Sequence, residues 1–307
     1  MRIVFMGTPD FAVASLRRLI EGGHEIAGVF TQPDKPGNRK KMTPPPVKEY
    51  ALSKGIPVYQ PDRMRGEEPL ALLRSLAPEL TVVAAYGQIL PQDVLDAAKL
   101  GSVNVHASVL PKYRGAAPIN WAVLNGEHET GVTIMYMAKR LDAGDIIRVK
   151  KTPITPDEDA EALFARLAEL GAQLLCETIP MIADGTAVRT PQNDLDATYA
   201  PMLTREMSPI DWNKGAEAVV NQVRGLTPWP CASAVIGGRT VKVWRAEPGG
   251  ETNDPAGTLR AAKRGIEAAC GGGKTVLITE LQPEGGKRMA ASAWLNGKRV
   301  AAGMILA

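Results

Sequence analysis

Cysteine and long apolar runs are scarce in this 307-residue chain, and fingerprints of nucleotide binding are missing from it. The three cysteines, Cys176, Cys231 and Cys270, form no CxxC pair and leave an odd count. That pattern argues against a disulfide framework or a cysteine zinc site and for a reducing compartment, the cytoplasm. The first apolar run, residues 3–6, breaks at Gly7-Thr8-Pro9-Asp10, far short of a signal-peptide core or a bilayer-spanning helix. This turn carries neither GxGxxG nor a GxxxxGK motif, so the usual tight backbone approach to a pyrophosphate has no basis here. Internal repeats, heptads and low-complexity tracts are also missing.

What is present describes an ordinary globular protein. Hydrophobic residues make up 45% of the chain and charged residues 22%, the balance of a soluble fold. The length exceeds one typical core, so two domains are expected. A change of character near Thr190-Pro191 divides the chain into a first domain over 1–189, a surface linker over 190–206 and a second domain over 207–307. The formal charge of +3 is unevenly spread, because residues 1–189 hold 22 basic and 22 acidic side chains whereas residues 207–307 hold 13 and 8. A basic face is the electrostatic footprint of a polyanionic partner, although so small an excess is more commonly a solvated surface.

The first hundred residues alternate apolar β-type runs with longer helical patterns, which predicts βαβ units and a Rossmann-like, mostly parallel sheet. Strands are expected at 3–6, 25–31 and 80–85, and helices at 11–21 and 47–53. After the linker, a helix at 216–224 precedes brief β runs at 234–236, 240–244, 275–279 and 289–295, with Gly237-Gly238 and Gly271-Gly272-Gly273 as turns. Short strands punctuated by glycine predict a small OB-like β-barrel.

In an open α/β sheet, ligands sit beyond the carboxyl ends of the strands. The informative stretch there is Ser102-Val103-Asn104-Val105-His106-Ala107-Ser108-Val109-Leu110-Pro111, followed by Lys112-Tyr113-Arg114-Gly115. In an extended strand Asn104 and His106 share one face. An isolated histidine among apolar residues is more often a satisfied core residue than a catalyst. Here the amide two residues before it, and the Pro and Gly after it, point to a shaped loop at the sheet's edge. A further strand, residues 131–137, runs into Leu141-Asp142-Ala143-Gly144-Asp145, where Asp142 is either a carboxylate for the site or a hairpin-turn residue.

Together these segments resemble the folate-dependent formyltransferases, whose catalytic trio is an Asn, a His two positions later and a more distant Asp. Asn104, His106 and Asp142 match it, and Ser108, Val109, Leu110 and Pro111 stand where the family has its folate loop. The opening MRIVFMGTPDFAV, the segment 31–36, the basic run Arg39-Lys40-Lys41 and the downstream Gly225-Leu226-Thr227-Pro228-Trp229-Pro230 resemble the tRNA-acting branch. The resemblance implies formyl transfer from 10-formyltetrahydrofolate to the methionine on initiator tRNA, with no metal, by a cytoplasmic monomer. It implies Asn104 as oxyanion donor, with His106 and Asp142 handling charge and protons. Arg39, Lys40 and Lys41 would meet the tRNA acceptor end, and the barrel would bind tRNA. Direct acyl transfer needs no covalent intermediate, so neither Ser108 nor Cys176 is read as a nucleophile. A formyltetrahydrofolate hydrolase or an amino-sugar formyltransferase would use the same trio.

Overall fold

The computed structural model describes residues 1–36, 42–297 and 303–305. In chain order the first elements are β1 (Arg2–Gly7), α1 (Asp10–Glu21), β2 (Glu25–Phe30), β3 (Lys35–Pro36), β4 (Met42–Thr43), α2 (Pro46–Ser53), β5 (Val58–Tyr59), α3 (Glu67–Ser75), β6 (Leu80–Ala84) and α4 (Gln92–Leu95). They are followed by β7 (Ser102–His106), β8 (Arg114–Gly115), α5 (Pro118–Leu124), β9 (Glu129–Tyr136), β10 (Ile146–Pro153), α6 (Ala160–Ala183) and β11 (Tyr199–Ala200). The remainder comprises α7 (Ala216–Gly225), β12 (Ala232–Ile236), β13 (Arg239–Glu251), β14 (Leu259–Ala262), β15 (Gly265–Cys270), β16 (Lys274–Pro283), β17 (Met289–Ala290) and α8 (Ala291–Gly297). Two compact units result, one of Met1–Pro118, Glu129–Pro153 and Phe164–Pro201, the other of Ile119–His128, Ile154–Leu163 and Met202–Ala307.

The first unit is built on a seven-stranded sheet in the order β10-β9-β7-β6-β1-β2-β5. The five strands from β7 to β5 pair in parallel, whereas β9 runs antiparallel to β7 and β10 antiparallel to β9. Continuous apolar runs are what a sheet covered on both faces requires, and Ile3, Val4, Phe5 and Met6 of β1 are all fully buried. Helix α1 buries Phe11, Ala12, Ser15, Leu16 and Leu19, the helical spacing of a core-facing stripe. Its Phe11 meets Phe164 of α6 edge to face with ring centroids 5.5 Å apart.

The second unit is organised by a six-stranded antiparallel sheet with β12-β13-β16-β15-β14 as its main path and β17 paired to β16. Register shifts within β13 at Val243/Arg245, Arg245/Ala246 and Pro248/Glu251 bend that long strand. Side chains from both terminal strands, Ile236 of β12 and Leu259 of β14 among them, join one core with Val219 and Val223 of α7. The β run expected at 289–295 is strand only over Met289–Ala290 and then turns into α8. Alanine-rich sequence there favours helix, and Ala291 and Leu295, one turn apart, supply its buried side.

Candidate active site

The strand order reverses between β1 and β6, the kind of switch point where open sheets leave a crevice. The loops leaving these two strands are tied together there. The Thr8 hydroxyl donates to the Tyr86 carbonyl at 2.9 Å, and the Gln32 amide donates to the same oxygen at 3.2 Å. Strand β7 lies next to β6 and is an interior strand, so Asn104 and His106 end a central strand rather than an outer one. Antiparallel β9 supplies the other neighbour, setting Met135 opposite Asn104 and Thr133 opposite His106.

Both polar side chains are almost buried, Asn104 being 8% exposed and His106 6%. The ring Nε2 of His106 lies 2.9 Å from the Tyr113 carbonyl oxygen. A carbonyl can only accept, so Nε2–H donates and Nδ1 is the nitrogen left for chemistry. That Nδ1 lies 3.7 Å from Asp142 Oδ2, close enough for charge to act but too far for a hydrogen bond. Among the described residues the Asn104 amide has no hydrogen-bond partner. The amide is not among the fully buried unpaired groups, so it is a free and reachable donor for an incoming oxygen.

Asp142 sits in the connection between β9 and β10, in the left-handed backbone region at φ 48°. A non-glycine residue held there costs on the order of 1 kcal/mol or more, so its surroundings must impose the conformation. They do so from two sides. The Gly115 N–H donates to Asp142 Oδ2 at 2.8 Å, and the Gln192 amide donates to the main-chain oxygens of Asp142 and Gly144, each at 2.8 Å. Two glycines make this possible. A Cβ on Gly144 would lie 1.8 Å from the Tyr136 carbonyl oxygen, and Gly115, at φ 120°, would bring one 2.7 Å from the Ala200 carbonyl oxygen. Asp142 is therefore both a hairpin-connection residue and a carboxylate directed at His106. Asp145, its neighbour in sequence, instead pairs with Arg189 at 3.1 Å.

In the loop after β7, the Ser108 hydroxyl donates to the Lys112 carbonyl at 2.6 Å, and the Thr133 hydroxyl donates to the Ser108 carbonyl at 2.7 Å while accepting from Leu110 N–H at 3.2 Å. Ser108 and Leu110 are buried, Val109 and Pro111 partly exposed. The loop is thus fixed by its internal Ser108–Lys112 bond and by Thr133 of β9, leaving shape and backbone to a ligand. Ser108 is committed to its partner, and burial pushes the Cys176 and Cys270 thiols up and that of Cys231 up to about 11, which suppresses thiolate at neutral pH. Arg39, Lys40 and Lys41 lie outside the described residues. Among the described residues no cluster of His, Cys, Asp and Glu could hold a metal ion, and no helix is long and apolar enough to cross a membrane.

Sequence reading did not single out Thr133, Arg114 or Gln192 as parts of this site. Gln192 lies in the stretch expected as a linker, where Thr190 also bridges to Ile146 and β11 pairs with β8. A lone glutamine in a polar stretch has no periodicity to mark it. Arg114 follows the loop after β7, and neither its burial, 1% exposed, nor its bonds to Gln192 and Asp194 leave a mark in the local sequence.

The formyl transferase family matches residues 1–179, and the formyl transferase C-terminal domain matches residues 202–299. The methionyl-tRNA formyltransferase of Geotalea uraniireducens is 48% identical over 307 residues, covering 100% of this chain and 98% of that protein. Those of Geobacter sulfurreducens and Bacillus subtilis are 49% and 46% identical, covering 99% of this chain and 96% and 97% of their own lengths. Among solved structures, an N-formyltransferase from Helicobacter canadensis, in complex with folinic acid and dTDP-3-aminofucose, has the same fold with a TM-score of 0.68 at 19% identity, covering 90% of this chain and 98% of its own. HypX from Aquifex aeolicus with tetrahydrofolic acid gives a TM-score of 0.67 at 19% identity, covering 100% of this chain and 50% of its own. The match runs the length of the chain and so takes in both units: the chain belongs to the methionyl-tRNA formyltransferase family.

Proposed function

We infer that this chain transfers the formyl group of 10-formyltetrahydrofolate to the α-amine of methionyl initiator tRNA, giving N-formylmethionyl-tRNA for translation initiation. The observation that carries this reading is the approach of Asp142 to His106, 3.7 Å apart, with Asn104 two residues before His106 on the same central strand, in a chain nearly half identical to methionyl-tRNA formyltransferases from end to end. Catalysis is assigned to residues 1–189, and 207–307, with five more basic than acidic side chains, to binding tRNA.

As the amine lone pair forms the new C–N bond, the formyl C=O electrons move onto oxygen. The Asn104 amide donates to that oxyanion, an interaction whose loss typically costs about a hundredfold or more in rate. With Nε2–H committed to Tyr113, His106 offers Nδ1, which in its protonated form stabilises the same oxygen or protonates the departing folate nitrogen. Asp142 receives Gly115 N–H on Oδ2, and its other oxygen accepts the proton that the attacking amine sheds once the C–N bond has formed, directly or through water. Collapse of the tetrahedral intermediate breaks the bond to folate and leaves the formyl group on the methionine.

Formyl transfer is measured with methionyl initiator tRNA, methionyl elongator tRNA, free methionine, an amino sugar and water as competing acceptors. Selective formylation of the initiator is expected, with Asn104→Ala, His106→Ala and Asp142→Ala each losing about a hundredfold or more. Equal turnover with water or the sugar would assign the chain to another branch of the fold.

A further inference from the structure

We propose that Gln192 and the buried Arg114 are positioning residues for the reaction: they form a clamp on the β9–β10 connection that keeps the Asp142 carboxylate facing His106. The inference rests on the catalytic reading of Asp142 given above. The clamp has two stages. In the first, Gln192 Nε2 bridges two carbonyl oxygens of the β9–β10 connection, those of Asp142 and Gly144, at 2.8 Å each. One amide nitrogen has two hydrogens, so both donors are used and the connection is pinned on either side of Ala143. In the second stage, Gln192 Oε1 accepts from Arg114 Nε at 3.1 Å and from a terminal guanidinium nitrogen at 2.8 Å.

The guanidinium decides which way the amide faces. Arginine has only donors, so it takes the glutamine oxygen and forces the NH2 group towards the two carbonyls. Arg114 is itself 1% exposed, and its other terminal nitrogen donates to Asp194 Oδ1 at 2.9 Å. The Arg140 guanidinium beside Asp194, and then that of Arg114, hold the Asp194 carboxyl below the usual carboxylate range, so that partner is anionic at neutral pH. The residue after Arg114 is Gly115, whose N–H holds the Asp142 carboxylate from the front. One short strand therefore presents the backbone donor and, next to it, the arginine that orients the rear donor. Without this pair, the left-handed turn at Asp142 has, among the described residues, a single hydrogen bond to its side chain and none to its main-chain oxygen.

Gln192→Glu tests the clamp. Glutamate has the same shape and still accepts from Arg114, but cannot donate to the two carbonyls. Its kcat is expected to fall tenfold or more, with KM for either substrate changed less than about twofold and a melting temperature lowered but still well above the assay temperature. The acidic limb of its kcat–pH profile should move as well, which a merely structural lesion would not produce. The decisive arm is a double-mutant cycle with Asp142→Asn. If Gln192 acts through Asp142, Gln192→Glu costs almost nothing further in the Asp142→Asn background. Full activity of Gln192→Glu, or additive losses in the cycle, would overturn the clamp while leaving the catalytic reading intact provided Asp142→Asn alone is inactive. Wild-type activity in Asp142→Asn would overturn both.

Discussion

Gly144 illustrates how narrow the tolerances are around a single residue. With the Tyr136 carbonyl oxygen 1.8 Å from where a Cβ would stand, any side chain must push the β9–β10 connection outward. Gly144→Ala is expected to cost about 1–3 kcal/mol, as overpacking does, and to reduce formyl transfer more than the stability loss explains. Thermal melts compared with kcat at a temperature well below the transition separate the two effects. Wild-type kcat would show that the carboxylate does not depend on that connection. The strand positions of Asn104 and His106 were legible because a period of two needs only neighbouring residues. Asp142 entered through family resemblance, since its approach to His106 depends on the pairing of β7 with β9. Gln192 and Arg114 were opaque for the same reason at longer range, as their contacts join segments 78 residues apart in sequence.

Element by element, the parallel strands and α1, α2 and α7 were readable from apolar runs and helical spacing. Left unread were α3, α5, α6 and β10 and, in the alanine-rich antiparallel sheet, β14 and β15. β15 reads Gly-Ile-Glu-Ala-Ala-Cys and lacks the branched or aromatic side chains that mark a strand, yet it is held by ladders to β14 and β16. Small side chains also shift stability onto the few large ones in that core. Leu281 of β16 is fully buried there, and Leu281→Ala is expected to cost about 2–5 kcal/mol. Urea denaturation followed by circular dichroism reads the loss; a shift below about 1 kcal/mol would mean that the cavity collapses around neighbouring alanines.

At the scale of the whole molecule, charge is where the sequence speaks most directly. Lys and Arg contacts to phosphate release counterions, so KM for methionyl initiator tRNA should rise roughly tenfold or more between about 50 and 200 mM salt while KM for the folate stays nearly constant. Parallel rises in both would remove the electrostatic argument for tRNA. Acid stability follows from paired carboxylates: Lys48 and then Gln60 hold Asp34 below its ordinary value, Arg260 does so for Asp254 and Arg288 for Glu280. Each binds its proton less readily folded than unfolded, so their stabilisation is complete above the ordinary carboxylate range and is lost as pH falls below about 4. Urea midpoints measured from pH 7 to pH 3 should drop at the acid end, and Asp254→Asn should flatten part of that drop. An unchanged slope in the variant would show that the Arg260 pair contributes nothing.

The second unit gathers three stretches of chain, and two of them, Ile119–His128 and Ile154–Leu163, precede its main body in sequence. Their partners lie far downstream, because Asn120 donates to the Gly225 carbonyl at 2.8 Å and Arg224 donates to the carbonyls of Glu158 and Thr155 at 2.9 Å. During synthesis on the ribosome, these two stretches emerge while α7 has yet to be made. The nascent chain can close the seven-stranded sheet once residue 201 is out, but Leu163 and its neighbours must wait for the last third of the message to be read. Nascent-chain arrest at successive lengths should therefore yield a protease-resistant first unit before the second one gains any protection.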